Sequence, residues 1–250
     1  MYRLFLSPEL LRSDTVRISG NDHRHLALVL RARPGDPIIL LDNTGSAFNA
    51  VIVAVEKTGT LARITGKAVS LPEPPVRLTV AQALGKGDKF EQVVQHGTEA
   101  GASCFVPVCA ERCVVTVPED RVAGRLARWQ QIARGAAEQS GRSRIPEVQA
   151  PIPFATVLAM AQSPGTTGLL LHPAPEALPL VRFLRQIDRG THVLLAVGPE
   201  GGWSPAEVSA AQGANLLPVS LGPRVLRTET AALVAISQIL YHFEQCLDVP

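Results

Sequence analysis

His192-Val193-Leu194-Leu195-Ala196-Val197-Gly198-Pro199-Glu200-Gly201-Gly202-Trp203-Ser204-Pro205-Ala206-Glu207 is the stretch that decides the fold. His192 to Val197 is a short apolar run bounded by a glycine-rich turn, the pattern of a strand buried on both faces. Ser204 then opens a helix, with Pro205 at the first helical position and Glu207 as the acid of a capping box. Buried strand, glycine turn and capped helix in immediate succession is the repeating unit of a parallel α/β sheet.

The same alternation extends to both sides. Upstream, Val76 to Leu84 reads as a buried strand. The following helix has Asp88 and Glu91 at capping-box spacing, Phe90, Val93, Val94 and Gly97 on one face, and Gly101 as its stop. Cys104 to Cys109 is a strand and Glu119 to Gln139 a helix. Gly168 to Leu171 and Leu216 to Leu221 are further strands, and Thr230 to Phe243 is an apolar final helix. Before this series, Leu71-Pro72-Glu73-Pro74-Pro75 cannot lie inside a helix or a central strand and reads as a stiff linker. The boundary therefore falls between residues 1–72 and 73–250.

The first part reads as β. Ile38 to Leu41 is a strand, Asp42 to Gly45 a turn, Phe48 to Val55 a long strand with Val51, Val53 and Val55 on one face, and Leu61 to Val69 another strand. A short helix around Asp22 to Arg31 ends at Arg33-Pro34-Gly35-Asp36. A small β-barrel is the natural sum.

Aromatic residues make up only 4 % of the chain, too few for a sheet of base-stacking side chains. The net charge of +2 names no partner, but its distribution is uneven. Residues 1–72 carry nine Lys or Arg against six Asp or Glu, and 121–144 hold six arginines against Glu138 alone. Two basic stretches on a near-neutral chain suit a polyanion that touches two surfaces. The N-terminus, Met1 to Phe5, has no signal-like segment, and no apolar run approaches membrane-spanning length. Cys104, Cys109, Cys113 and Cys246 form no CxxC pair and read as reduced buried thiols, so the expected compartment is the cytoplasm. His23 and His25 read as surface residues, since no third ligand at metal spacing accompanies them, and no metal is expected.

Three loops follow predicted strands at their C-terminal ends, where open α/β sheets bind ligands. They are Leu171-His172-Pro173, Gly198 to Gly202, and Leu221-Gly222-Pro223-Arg224-Val225-Leu226-Arg227-Thr228-Glu229-Thr230. The third packs two arginines, two threonines and a glutamate against an oily helix, and polar groups so placed call for a partner. A competing reading takes Gly85-Lys86-Gly87-Asp88-Lys89-Phe90, with an acid at Glu111, as a dinucleotide fingerprint of an NAD-dependent oxidoreductase. Bulky Phe90 stands where the third glycine is needed, and this decides against it.

Gly198 to Gly202 followed by Leu221 to Ala231 resembles the signature of the bacterial ribosomal RNA small subunit methyltransferase E family, one of the knotted SPOUT methyltransferases. Lys86-Gly87-Asp88-Lys89, Glu138-Gln139-Ser140-Gly141-Arg142, and His25 to Asp36 agree with it, so the resemblance spans nearly the whole chain. It implies a PUA-like RNA-binding barrel, a SPOUT sheet ending in a trefoil knot, a homodimer, S-adenosylmethionine as cofactor, and N3-methyluridine in 16S rRNA as product. A non-catalytic RNA-binding assembly factor on the same fold is the alternative. On this resemblance the cofactor lies against Leu171, His172, Gly198, Glu200 and Gly201, and against Leu221, Gly222, Leu226 and Thr228. His96 departs from the family, whose members commonly carry Lys there.

Uridine N3 is protonated and a poor nucleophile until that proton is lost. Arg227 or Arg224 is the candidate electrostatic stabiliser, and Glu229 or Glu200 the candidate base. Glu229 has the alternative task of orienting Arg227. For RNA contact the candidates are Arg3, Arg24 and Arg31 in the first part and Lys86, Lys89, Arg121, Arg125 and Arg142 in the second. Arg121, Arg125 and Arg128 share one helix face by spacing.

Overall fold

The computed structural model describes residues 2–174, 177–188 and 190–244. Two compact units emerge: residues 1–73 with 137–145, and residues 74–136 with 146–250. The chain is thus not divided by a single cut, because 137–145 belongs with the first unit.

The first unit contains β1 (Tyr2–Phe5), β2 (Thr15–Ile18), α1 (Gly20–Arg24), β3 (Pro37–Leu41), β4 (Ala47–Val55) and β5 (Thr60–Lys67). Its sheet runs β1-β3-β4-β5-β2 and curls around one core that includes Leu4, Val16, Ile18, Leu26, Ile38, Leu40 and Ile52. The strands lie where the alternation predicts them, but Val51, Val53 and Val55 do not share one face, since Val55 packs against the core. Ala50 and Ile52 point inward, and Val53 is 49 % exposed. Register shifts at Asn49/Ala50 and Ile52/Ala54 set this phase; strand alternation gives two faces without saying which is inner. The helix expected from Asp22 to Arg31 is instead α1 followed by a π-helical turn, His25–Val29, which ends before Arg31 in the left-handed region at φ 51°. His23 is a second correction: it is buried, with Nδ1 2.9 Å from Oγ1 of Thr60. Residues 137–145 are tied in by Ile145 N–H to Oδ1 of Asn43 and by Arg142, whose guanidinium grips the Glu73 carboxylate.

The second unit contains β6 (Arg77–Ala83), α2 (Lys89–Ala100), β7 (Cys104–Cys109), α3 (Glu119–Ser140, whose last residues fall in the first unit), β8 (Glu147–Val148), β9 (Ile152–Pro153), α4 (Phe154–Ala161), β10 (Thr166–Leu171), β11 (Leu178–Pro179), α5 (Leu180–Leu184), β12 (His192–Val197), α6 (Pro205–Gly213), β13 (Leu216–Ser220) and α7 (Thr228–Glu244). The sheet runs β11-β13-β10-β12-β6-β7-β8, with β9 beside β7, and every pairing is parallel. Its strands are apolar on both faces because both are covered. Phe154, Val157 and Ala211 of α4 and α6 pack on Ala81, Val106, Leu170 and Leu194. On the other face, Gly97 of α2 lets Phe105 and Ile236 of α7 close in, since a Cβ there would stand 2.7 Å from the Phe105 ring.

The expected cap of α2 is not made. Asp88 caps no backbone N–H and instead accepts from Nε2 of Gln92, while Glu91 pairs with Arg128. The cap of α6 is made in full, with Ser204 and Glu207 each bonding the other's backbone N–H. Cys104 is buried, and that burial, with the Glu147 charge second, pushes its thiol up to about 12. Cys246 lies outside the described residues.

Candidate functional site

Parallel pairing brings the C-terminal ends of β13, β10 and β12 side by side, with Leu171 opposite both Val197 and Val219. The three loops predicted to carry chemistry therefore surround one cleft. Leu171, Val197, Val219 and Ala231 give it an apolar floor; His172, Gly198, Glu200, Leu221, Gly222, Leu226 and Thr228 are among its walls. Its volume is about 150 Å³, below the roughly 300–1,000 Å³ usual for a small-molecule site, so a larger ligand extends past its mouth. Gly222, at φ 109°, takes a turn that other residues adopt only with strain.

Polar groups around the cleft are tightly arranged. Nε1 of Trp203 donates to the Leu171 carbonyl at 3.1 Å, and the indole lies against Gly198, where a Cβ would sit 3.1 Å from Nε1. Oγ1 of Thr228 donates to the Gly198 carbonyl at 2.5 Å and accepts from Nε2 of Gln82 at 2.8 Å. His172 donates its backbone N–H to Val219, while its ring Nδ1 is buried without a partner among the described residues.

Glu200 faces the loop after β6. Its Oε1 accepts from Nζ of Lys89 at 2.6 Å and from the Lys86 N–H at 3.2 Å. Partial burial pushes the carboxyl up. The hydrogen bond from Lys89, those from backbone N–H groups, and the Lys89 charge outweigh it and hold the carboxyl below its ordinary value. Behind the loop, Arg112 donates to the Gly201 carbonyl, and Oε2 of Glu111 accepts from Ser204 at 2.6 Å. Glu111 is thus bound to a helix cap, and Phe90 is buried 4.6 Å from the Trp129 ring centroid. Neither takes the part a dinucleotide fold would give it.

Not every predicted site residue gathers at the cleft. Gly201 is held from behind by Arg112 and is not part of the lining. Arg224 lines the cleft; Arg227, exposed, and Glu229, in the first turn of α7 with Oε2 buried and unpartnered among the described residues, do not. No ion pair between Arg227 and Glu229 occurs among those residues. Lys86 is exposed and Lys89 is joined to Glu200. Arg121 and Arg125 are exposed on α3; His96 is half-buried on α2. In the first unit Arg24 and Arg31 are exposed and Arg3 is half-buried near Gly141, whereas Arg142 is only 9 % exposed, against Glu73. Sequence reasoning missed Trp203 and Gln82. An amide near the end of a buried strand was the available signal for the second.

Family models agree with this architecture. An RNA methyltransferase domain matches residues 72–240 and an RNA methyltransferase PUA domain matches 18–65. Ribosomal RNA small subunit methyltransferase E of Synechocystis sp. is 36 % identical, covering 95 % of this chain and 77 % of its own. The Bacillus subtilis protein of the same name is 32 % identical over 98 % of both. The structure of the Neisseria gonorrhoeae enzyme of that name, bound to S-adenosyl methionine, superposes with a TM-score of 0.85 at 36 % identity, covering 95 % of each chain. The fold, the cleft and these likenesses agree: the chain belongs to the ribosomal RNA small subunit methyltransferase E family.

Proposed function

We propose that this protein transfers the methyl group of S-adenosylmethionine to N3 of a uridine in the RNA of the small ribosomal subunit. The observation that carries the reading is the single cleft formed by three loops at the ends of parallel strands, in a chain of this family. The residues fit the cofactor. An apolar floor suits a nucleoside, and the buried, unpartnered Nδ1 of His172 asks for a polar ligand edge. When bound, S-adenosylmethionine supplies a methyl carbon made electrophilic by its sulfonium.

The chain's own residues do the rest. Leu171, Val197, Val219 and Ala231 exclude water from the cleft, and the loops hold the reactants in line, which can supply much of the rate. The uridine N3 proton must leave before the ring nitrogen attacks. Glu229, in the first turn of α7 next to Thr228 of the cleft wall, is the proton acceptor. Glu200 is a poorer one, because Lys89 stabilises its ionised form. Arg227, together with Arg224 of the cleft lining, stabilises negative charge on the uracil oxygens.

The first unit, built on residues 1–72 and joined by 137–145, acts as the RNA-binding PUA-like domain, and the rest of 73–250 as the methyltransferase domain with its trefoil knot. Arg24, Arg31, Lys86, Arg121 and Arg125 are exposed and contact phosphate. Arg142, buried against Glu73, leaves that set. The enzyme works as a homodimer in the cytoplasm. In support, an apolar hollow lined by Leu180, Val181, Leu184 and Tyr241 adjoins the cleft at Ser220 to Gly222, and Val181 and Tyr241 are 56 % and 62 % exposed. Incubation with labelled S-adenosylmethionine and small ribosomal subunits, followed by nucleoside mapping, tests the reading. N3-methyluridine is the expected product; no incorporation, or a methyl on another atom, would refute it.

A further inference from the structure

Gln82 sits near the C-terminal end of β6, only 1 % exposed, on the sheet face that α7 covers. An amide costs free energy in such a place unless its groups are paired, and its Oε1 has no partner among the described residues. Its amide nitrogen is used twice, donating to the Ala83 carbonyl at 3.1 Å and to Oγ1 of Thr228 at 2.8 Å. The orientation is set by chemistry, because only the NH₂ end can face a carbonyl.

The arrangement passes one hydrogen-bond direction along a chain of groups. With Gln82 donating to it, the Thr228 hydroxyl is left to donate its single proton, and it donates to the Gly198 carbonyl at 2.5 Å. The peptide after Gly198 belongs to Pro199 and has no N–H, so that carbonyl is its one polar group. Pinned by Thr228, the carbonyl is already engaged, and the loop keeps one orientation where it lines the cleft. Trp203 lies against the same glycine and bonds the Leu171 loop, so the two neighbouring loops are fixed together.

We infer that Gln82, through Thr228, is a positioning residue that fixes the Gly198–Pro199 wall of the donor cleft. This rests on the reading of that cleft as the S-adenosylmethionine site. With Oε1 buried and unpartnered among the described residues, the amide contributes little net stability. The fold therefore loses little when Gln82 is replaced by methionine of similar volume, whereas the cleft loses the donor that directs Thr228.

The test is calorimetric titration of wild type, Q82M, T228V, T228S and Q82M/T228V with S-adenosylhomocysteine. One hydrogen bond lost near the ligand gives a weakening of about fivefold for Q82M and about tenfold or more for T228V. The double variant weakens no further than T228V, since both act on one relay, and T228S recovers most of the loss because it keeps the hydroxyl. The indole N–H resonance of Trp203 shifts in Q82M and T228V while that of Trp129 stays, and the ligand-free melting temperature of Q82M stays within about 3 °C of wild type. Affinities within twofold of wild type, additive losses in the double variant, or loss of fold in Q82M each overturn the inference alone. Failure of wild type to bind the ligand overturns the functional reading as well.

Discussion

Replacing Glu200 by glutamine separates two tasks for that carboxylate, strut and base. Its Oε1 accepts from Nζ of Lys89 at 2.6 Å and from the Lys86 N–H at 3.2 Å. The two side chains remain 27 % and 34 % exposed, so solvent screens the pair and its contribution is about 0.5–1 kcal/mol. For a chain of this length that corresponds to a melting temperature lower by about 1–4 °C at neutral pH. The folded carboxyl is held below its ordinary value of about 4.3. The stabilisation is therefore complete above that value and is lost as pH falls through the lower folded one. Melts of wild type and E200Q should converge as pH is lowered from about 5 towards 3. The chemical step responds differently. A carboxylate stabilised in its ionised form is a weak proton acceptor, and losing a general base typically costs about 10²–10⁴-fold. E200Q at saturating donor should keep its single-turnover methyl transfer within about tenfold of wild type, well short of that loss. A fall of about a hundredfold or more, with donor affinity retained, would make Glu200 the base and sink this argument.

Arg227→Ala should lower single-turnover methylation by about 10²–10³-fold while S-adenosylhomocysteine still binds; a normal rate would remove the arginine from the chemistry. Gly97→Ala places a Cβ 2.7 Å from the Phe105 ring and 3.2 Å from Ile236, and urea unfolding should register a loss of about 1–3 kcal/mol, with an unchanged midpoint contradicting the packing described. Thr60→Val leaves Nδ1 of buried His23 unpaired and should cost about 1–3 kcal/mol in the same assay. Cys104, with its thiol pushed up to about 12, should escape iodoacetamide at pH 8 in the native protein; mass spectrometry showing its alkylation without denaturant would contradict its burial.

Elements with a strong local signal were legible. Strand His192–Val197, its turn and the Ser204 cap follow from the residues themselves, because a two-sided apolar run and a capping box both act over a few positions. Elements that draw their stability from a distant partner were not. Strand Tyr2–Phe5 exists by parallel pairing with Pro37–Leu41, and helix Phe154–Ala161 starts from Pro153 with no side-chain cap to announce it. Asp88 illustrates the converse: the capping-box spacing is present, yet Glu91 is drawn to Arg128, so tertiary charge pairing overrides a local motif. The inner face of strand Ala47–Val55 was hidden for a related reason, since two register shifts choose it and no alternation records them.

The glycines of the cleft show the same division between local and distant causes. A glycine-rich loop after a strand invites one explanation, close approach of the backbone to a ligand. Gly222 suits it, with a left-handed turn and a place in the lining. Gly198 also lines the cleft, but its missing Cβ makes room for the protein's own Trp203, which joins that loop to Leu171. Gly201 is held from behind by Arg112. The glycines of two loops therefore answer different demands, a left-handed turn facing the cleft at Gly222 and room for the neighbouring loop's tie at Gly198. The second demand sets the cleft before any ligand arrives: Trp203 fastens the Leu171 loop, and Thr228 under Gln82 fastens Gly198. Preorganisation of this kind is what in-line transfer requires of a protein that contributes position rather than covalent chemistry. It resides in residues that a reading confined to loop motifs passes over.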